Sequence, residues 1–261
     1  MNGTGPRPFS GTDVAKLIAE GVDPIHAVYL FVHHIAWDFA QTVLQFPELR
    51  AHSKELARAQ KRYIPAGSPI NPSTTNFFQA RALFDHQIGR TTDTLASCLV
   101  DARDVTGMNP DQFDALRKMS DSRMGIYEHQ GLVENFVRLG ELLSSREFVA
   151  HVPSGYRGTS GELWDIRLLP PLLPDFATYH IAFTTPYLLI GASRRDWIQC
   201  LKRNLVSMKV AGEEEALRRF LKFGSDKNSW NEFVRLAYHH AQSNAIFLSG
   251  IPDLKDTLPR A

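Results

Sequence analysis

The chain lacks most of the features that declare a function outright. Two cysteines in 261 residues exclude a disulfide framework; Cys98 and Cys200 each sit inside an apolar-periodic segment and read as free thiols. Charge of one sign is missing too: 29 Lys and Arg against 28 Asp and Glu leave a formal net charge of +1. That is too small a basic footprint for a dedicated phosphate-backbone binder, so nucleic acid is not an expected partner. No long apolar run exists. The most apolar stretch, 24–46, carries His26, His33, His34 and Asp38, and their cost at mid-bilayer depth excludes a membrane span. The first ten residues are rich in Gly and Pro without an apolar core, so no secretory signal is expected and elimination points to the cytoplasm. Gly-x-Ser-x-Gly, Gly-x-Gly-x-x-Gly, His-Glu-x-x-His and Cys-x-x-Cys are all missing, which removes the usual support for hydrolase, dinucleotide and zinc-ribbon readings.

What is present is ordinary globular composition, 43% hydrophobic and 22% charged, which excludes extended disorder. Charge is zoned. Residues 1–110 carry 10 basic and 10 acidic side chains, 111–192 carry 7 and 10, and 193–261 carry 12 and 8. A neutral first part, an acidic middle and a mildly basic tail are complementary to one another.

The first 121 residues read as helical. Asp23-Pro24 places an acceptor at an N-cap and proline at the first helical position, and Ile25, Val28, Val32, Ile35, Phe39 and Val43 then share a face. Glu48 to Tyr63 is amphipathic, a Pro- and Ser-rich connection covers 64–75, and helical spacing returns over Phe77–Ile88, Thr92–Val105 and from Asn109-Pro110 to about Met119. The middle changes period. Glycines punctuate short β-forming runs at Met124–Tyr127, Phe136–Leu143, Glu147–Val152, Leu163–Leu169 and His180–Ile190. Phe136, Leu139, Leu142, Leu143 and Val149 also fit one helix over 132–151, but Gly140, Ser144-Ser145 and Phe148-Val149 favour strands. After Ser193 helices are expected at Arg194–Val206, Glu213–Lys222 and Ser229–Ser243. The fold class is therefore α+β: an N-terminal helical domain (1–121), a small antiparallel sheet or partial barrel (122–192), and C-terminal helices (193–261) packing on both.

Three residue sets could carry chemistry. Arg146 and His151 form an Arg-x4-His pair. It resembles the motif of HEPN-type ribonucleases, and the resemblance implies an arginine that stabilises phosphate charge and a histidine that moves protons, usually across a dimer. On a strand, residues five apart point to opposite faces. His34 and Asp38, four apart on one helix face, could meet His86 around a divalent metal ion, the one cofactor the sequence suggests; a local His34–Asp38 pair is the plainer reading. The glycine-rich loop 151–161 offers Ser154, Tyr156 and Arg157 to a ligand, without the Gly-Lys-Ser/Thr ending or following helix of a P-loop. Separately, Ser122–Glu128, Val137–Leu143, Arg146–Phe148 and Gly161–Pro170 resemble a β module of uncharacterised bacterial proteins, which implies strands and carries no catalytic residues. Each catalytic set falls short on count or geometry. The expectation is a non-enzymatic bacterial interaction or regulatory protein that binds a protein or small ligand at the 151–161 loop, a homo-oligomer being compatible with it. The alternatives are a ribonuclease using Arg146 and His151 and a metal-dependent enzyme using His34, Asp38 and His86.

Overall fold

The computed structural model describes residues 10–65, 72–89 and 92–259. Among them eight helices come first: α1 (Gly11–Ala19), α2 (Pro24–Gln45), α3 (Pro47–Arg50), α4 (Ser53–Tyr63), α5 (Pro72–Phe84), α6 (Leu95–Asp101), α7 (Arg103–Thr106) and α8 (Pro110–Asp121). Six strands follow: β1 (Met124–Val133), β2 (Phe136–Glu141), β3 (Glu147–His151), β4 (Leu163–Leu169), β5 (His180–Ala182) and β6 (Tyr187–Ile190). The chain ends on α9 (Arg194–Ser207), α10 (Glu213–Phe223), α11 (Ser229–Ala237), β7 (Tyr238–Ala241), β8 (Ile246–Ser249) and one 3₁₀ turn (Lys255–Thr257). Among the described residues no helix is long and apolar enough to cross a membrane.

Local chemistry explains the helix starts. Asp23 accepts from the His26 amide at 3.0 Å ahead of Pro24, and reciprocal capping boxes open α6 (Thr94, Ser97), α8 (Asn109, Gln112) and α9 (Ser193, Asp196). Each such cap contributes about 1 kcal/mol. The apolar stripe of α2 is buried as its spacing predicts, through Val28, Phe31, Val32, Ile35 and Phe39.

The sheet runs β1-β2-β3-β5-β4-β6-β8-β7, and β1 also pairs with β4. That extra ladder closes the first five strands into a barrel. One strand can serve two neighbours because β1 is ten residues long. It pairs with β4 over Met124–Glu128 and with β2 from Tyr127 onward, and the register slips between His129 and Gly131. A bulge there adds the local bend that closure requires. Alternate residues divide the faces: Tyr127, Val137, Leu139, Ala150, Trp164, Ile166 and Leu168 fill the barrel. Met124, Ile126 and Leu163 look outward into a cluster with Trp197, Phe220 and Phe233 of the C-terminal helices and with Tyr63 and Phe77 of α4 and α5. On the other flank Leu169, Leu172 and Ile181 join the core around α2.

The α+β class holds, with helices at both ends of a barrel, and 132–151 is the end of β1, then β2 and β3, with a turn before each of the last two. Several details differ from expectation. The sheet is mixed, since β3–β5 and β6–β8 are parallel. The run His180–Ile190 splits at Pro186 into β5 and β6, as the missing proline amide favours. Glu48–Tyr63 breaks at Ala51-His52 into α3 and α4, Thr92–Val105 becomes α6 and α7, and α5 starts at Pro72 rather than at Phe77. Residues 66–71 of the Pro- and Ser-rich connection, and residues 1–9, lie outside the described residues. The largest change is at 229–243: the helix stops at Ala237, and Tyr238–Ala241 becomes the edge strand β7. Its ladder to β8, itself seated on β6, outweighs a helical period that carries His239 and His240.

Candidate functional site

A cleft of about 510 Å³ lies where one end of the barrel meets α10. Its lining includes Arg123 just before β1, Glu141 at the end of β2, Ser144 and Arg146 in the β2–β3 turn, and Gly212, Glu214, Glu215 and Arg218 at the start of α10. The turn is strained: Leu143 and Ser145 take φ of 73° and 55°, a left-handed conformation that costs a non-glycine residue about 1–3 kcal/mol. The contacts that hold it include Glu141 N–H to Arg146 O at 2.8 Å, Arg146 N–H to Ser144 Oγ at 3.3 Å, and Ser144 Oγ donating to the Glu141 carboxylate.

Four carboxylates (Asp121, Glu141, Glu214 and Glu215) and three guanidinium groups (Arg123, Arg146 and Arg218) line the cleft, and their pairs fall into two kinds. Glu141 is buried, its side chain 1% exposed, and its Oε1 lies 2.7 Å from Arg123 Nη2, so this pair is fixed. Arg146 and Arg218 are about half exposed and pair with Glu214 and Glu215 on α10. Surface pairs of that kind are worth about 0–1 kcal/mol. Their guanidinium groups are therefore exchangeable toward an incoming anion.

Beneath the cleft a buried charge network joins the three parts of the chain. Arg167 on β4, 1% exposed, donates to Ser122 O at 2.9 Å and Ser122 Oγ at 2.8 Å, and pairs with Asp85, the residue after α5. Lys222 of α10 donates to Ser120 O and to Ser122 O (3.0 Å), and lies 3.7 Å from Asp85 Oδ1. Two cations thus converge on the C-terminal end of α8, where the helix dipole favours them. Burial lowers the Lys222 ammonium to about 8, with Asp85 opposing the shift. Asp165, also on the outer face of β4, is pushed up to about 7 by burial, against the pull of Arg81 and Arg167.

The 151–161 loop closes the other end of the barrel, and its polar groups are already engaged. Ser154 Oγ donates to Asn244 O at 3.0 Å, Arg157 Nη2 to Glu134 O at 2.9 Å, and Tyr156 OH to Glu162 at 3.1 Å. Glu162, which sequence reasoning passed over, is the hub: it also accepts from Thr159 Oγ1 and Trp164 Nε1, both at 2.9 Å. Burial and the Glu162 carboxylate lift the Tyr156 phenol to about 12. Gly158 at φ 59° is required there, because a Cβ would stand 2.5 Å from Trp164 Cζ2. Glu162→Ala is expected to lower stability by about 2–3 kcal/mol, since it strands the indole N–H and two hydroxyls; urea unfolding measures this.

The other sequence candidates are scattered. Arg146 sits at the cleft, whereas His151 ends β3 with its ring 6.5 Å from Phe136 and 6.3 Å from Tyr179. The helix that would align an Arg-x4-His pair does not form. Asp38 accepts from Gln112 at 3.2 Å and feels His34 electrostatically, but His86 lies elsewhere, 3.9 Å from Glu55. Among the described residues no three His, Cys, Asp or Glu side chains are placed to hold a metal. His52 is half-buried, and its Nδ1 lies 3.2 Å from Glu55 Oε2. His239 and His240 are exposed on β7 rather than carried on the helix expected over Ser229–Ser243, and His240 stacks on Phe247 at 4.2 Å. Cys98 and Cys200 are free thiols, half-buried and buried.

Comparison of the chain with protein-family models, curated proteins and solved structures returned no match.

Proposed function

We propose that this chain is a non-enzymatic cytoplasmic binding protein. Its ligand is a small molecule bearing a carboxylate or phosphate, held by Arg146 and Arg218 in the cleft between the β2–β3 turn and α10. The observation that carries this is two exchangeable guanidinium groups on a cleft of about 510 Å³, inside the size range of small-molecule sites. Planar guanidinium groups suit bidentate recognition of carboxylate or phosphate. A binding role rather than a catalytic one fits the lining. Ser144 is the one hydroxyl among its described lining residues, and the carboxylate beside it is tied to Arg123. Among the described residues no histidine, lysine or cysteine lines the cleft. Two free thiols suit a reducing compartment. The binding role expected from the sequence is kept, and we place it in the cleft rather than at the 151–161 loop, where Ser154 Oγ, Tyr156 OH and Arg157 Nη2 each have a hydrogen-bond partner within the chain.

Thermal unfolding against a panel of small organic acids and phosphate esters tests the reading. A true ligand at one hundred times its Kd adds about 2.7 kcal/mol, and Arg146→Ala with Arg218→Ala removes that gain. Failure of every anion to raise Tm, or an equal rise in the double variant, would contradict it.

A further inference from the structure

Asp165 is the odd member of the buried charge network. Five charged side chains there are each at least nine-tenths buried: Arg81, Asp85, Asp165, Arg167 and Lys222. Asp85, Arg167 and Lys222 form one cluster with the carbonyl oxygens of Ser120 and Ser122. Arg167 spends its donors on Ser122 and Asp85, and Lys222 on Ser120 and Ser122. Among the described residues no ion pair within 4 Å reaches Asp165, and nothing hydrogen-bonds its Oδ1. Arg81 Nε, on α5, is likewise buried without a hydrogen-bond partner. The charged and titratable groups that feel Asp165 are Arg81 and Asp85 from the α5 side, Arg167 on its own strand, Tyr63 of α4, Tyr187 of β6 and, from inside the barrel, Tyr127 of β1. Lys222 reaches it only through Asp85. The tyrosines stay neutral because burial raises all three phenols, and Tyr63 and Tyr187 hydrogen-bond each other.

We propose that Asp165 is a proton-operated switch at the seam between α5 and the barrel: protonated, it lets α5 seat on β4, and ionised, it loosens that seam. An ionised carboxylate with an oxygen lacking a donor must draw in water, and water entering this seam parts α5 from β4. The sign follows from the direction of the shift. The folded-state pKa lies above the unfolded value of about 3.9, so the stabilisation is complete below that value and is lost as pH rises through about 7. This inference stands apart from the ligand cleft and does not depend on it.

Hydrogen exchange of the α5 amides, followed by mass spectrometry and corrected for intrinsic rates, tests it. Between about pH 5 and about pH 7 the protection of α5 falls about a hundredfold, then levels off. Asp165→Asn holds its protection constant over the same range. Constant protection in the unmodified protein, or the same fall in Asp165→Asn, would overturn the proposal. Should Asp165→Asn not fold, the carboxyl ¹³C resonance of Asp165 decides: a midpoint near 7 that coincides with the loss of α5 protection supports the switch, and any other midpoint overturns it.

Discussion

Asp85→Ala is expected to cost about 3–5 kcal/mol, a large share of a typical folding stability of about 5–15 kcal/mol. The carboxylate is buried between Arg167 and Lys222, themselves buried. Removing it leaves two cations in the interior with no counter-charge in contact, solvated by the carbonyl oxygens of Ser120 and Ser122 and by Ser122 Oγ. The price of an unpaired buried charge exceeds that of a lost methylene or hydrogen bond. Asp85→Asn keeps the shape and one acceptor and should fall between the two. A combined Asp85→Leu, Arg167→Met exchange should lose less than Asp85→Ala alone, because it removes both partners together. Equilibrium urea unfolding of the three variants gives the order, and a mild effect of Asp85→Ala would mean that the network does not tie the three parts of the chain together.

The second large effect is acid lability at His86. Its side chain is 4% exposed, and its Nε2 has no hydrogen-bond partner among the described residues. Burial holds the imidazole down at about 4, with help from Arg81 and His52. A depressed folded-state pKa means that the unfolded chain binds the proton first. The stability is complete above the unfolded value of about 6.5 and is lost as pH falls toward 4. About 2–3 kcal/mol disappears over that window. His86→Gln cannot take up the proton, so its stability should change by that much less between about pH 6.5 and about pH 4. Parallel slopes for the two proteins would show that Glu55, 3.9 Å away, compensates the charge when it forms.

Much of the fold is legible in the sequence because local chemistry and tertiary structure agree there. Asp23-Pro24, Asn109-Pro110 and Ser193 with Asp196 start helices where their caps predict, and β4 occupies its expected span Leu163–Leu169. The failures lie where long-range pairing decides. Nothing local in Tyr238-His239-His240-Ala241 shows that β8 will be available to pair with it. Nothing local in β1 shows that its first half closes a barrel with β4. The candidate site was harder still. Arg146 was visible as one half of a motif, but its cleft partner Arg218 lies 72 positions away on another element. The signal that could have found Asp85, Asp165 and Arg167 was present: charged residues interrupting apolar runs, as in Leu163-Trp-Asp-Ile-Arg-Leu-Leu169. A strand covered on both faces must pair such charges inside.

The central claim, that Arg146 and Arg218 receive an anionic ligand, is most directly tested by following the arginine Nε resonances of ¹⁵N-labelled protein. Inorganic phosphate and citrate are the probes, titrated at constant ionic strength. The account predicts saturable shifts of Arg146 and Arg218 on a common binding curve, with Arg157 and Arg203, held by Glu134 and Asp253, left in place. Linear drift shared by every exposed arginine, or no movement at Arg146 and Arg218, would contradict it.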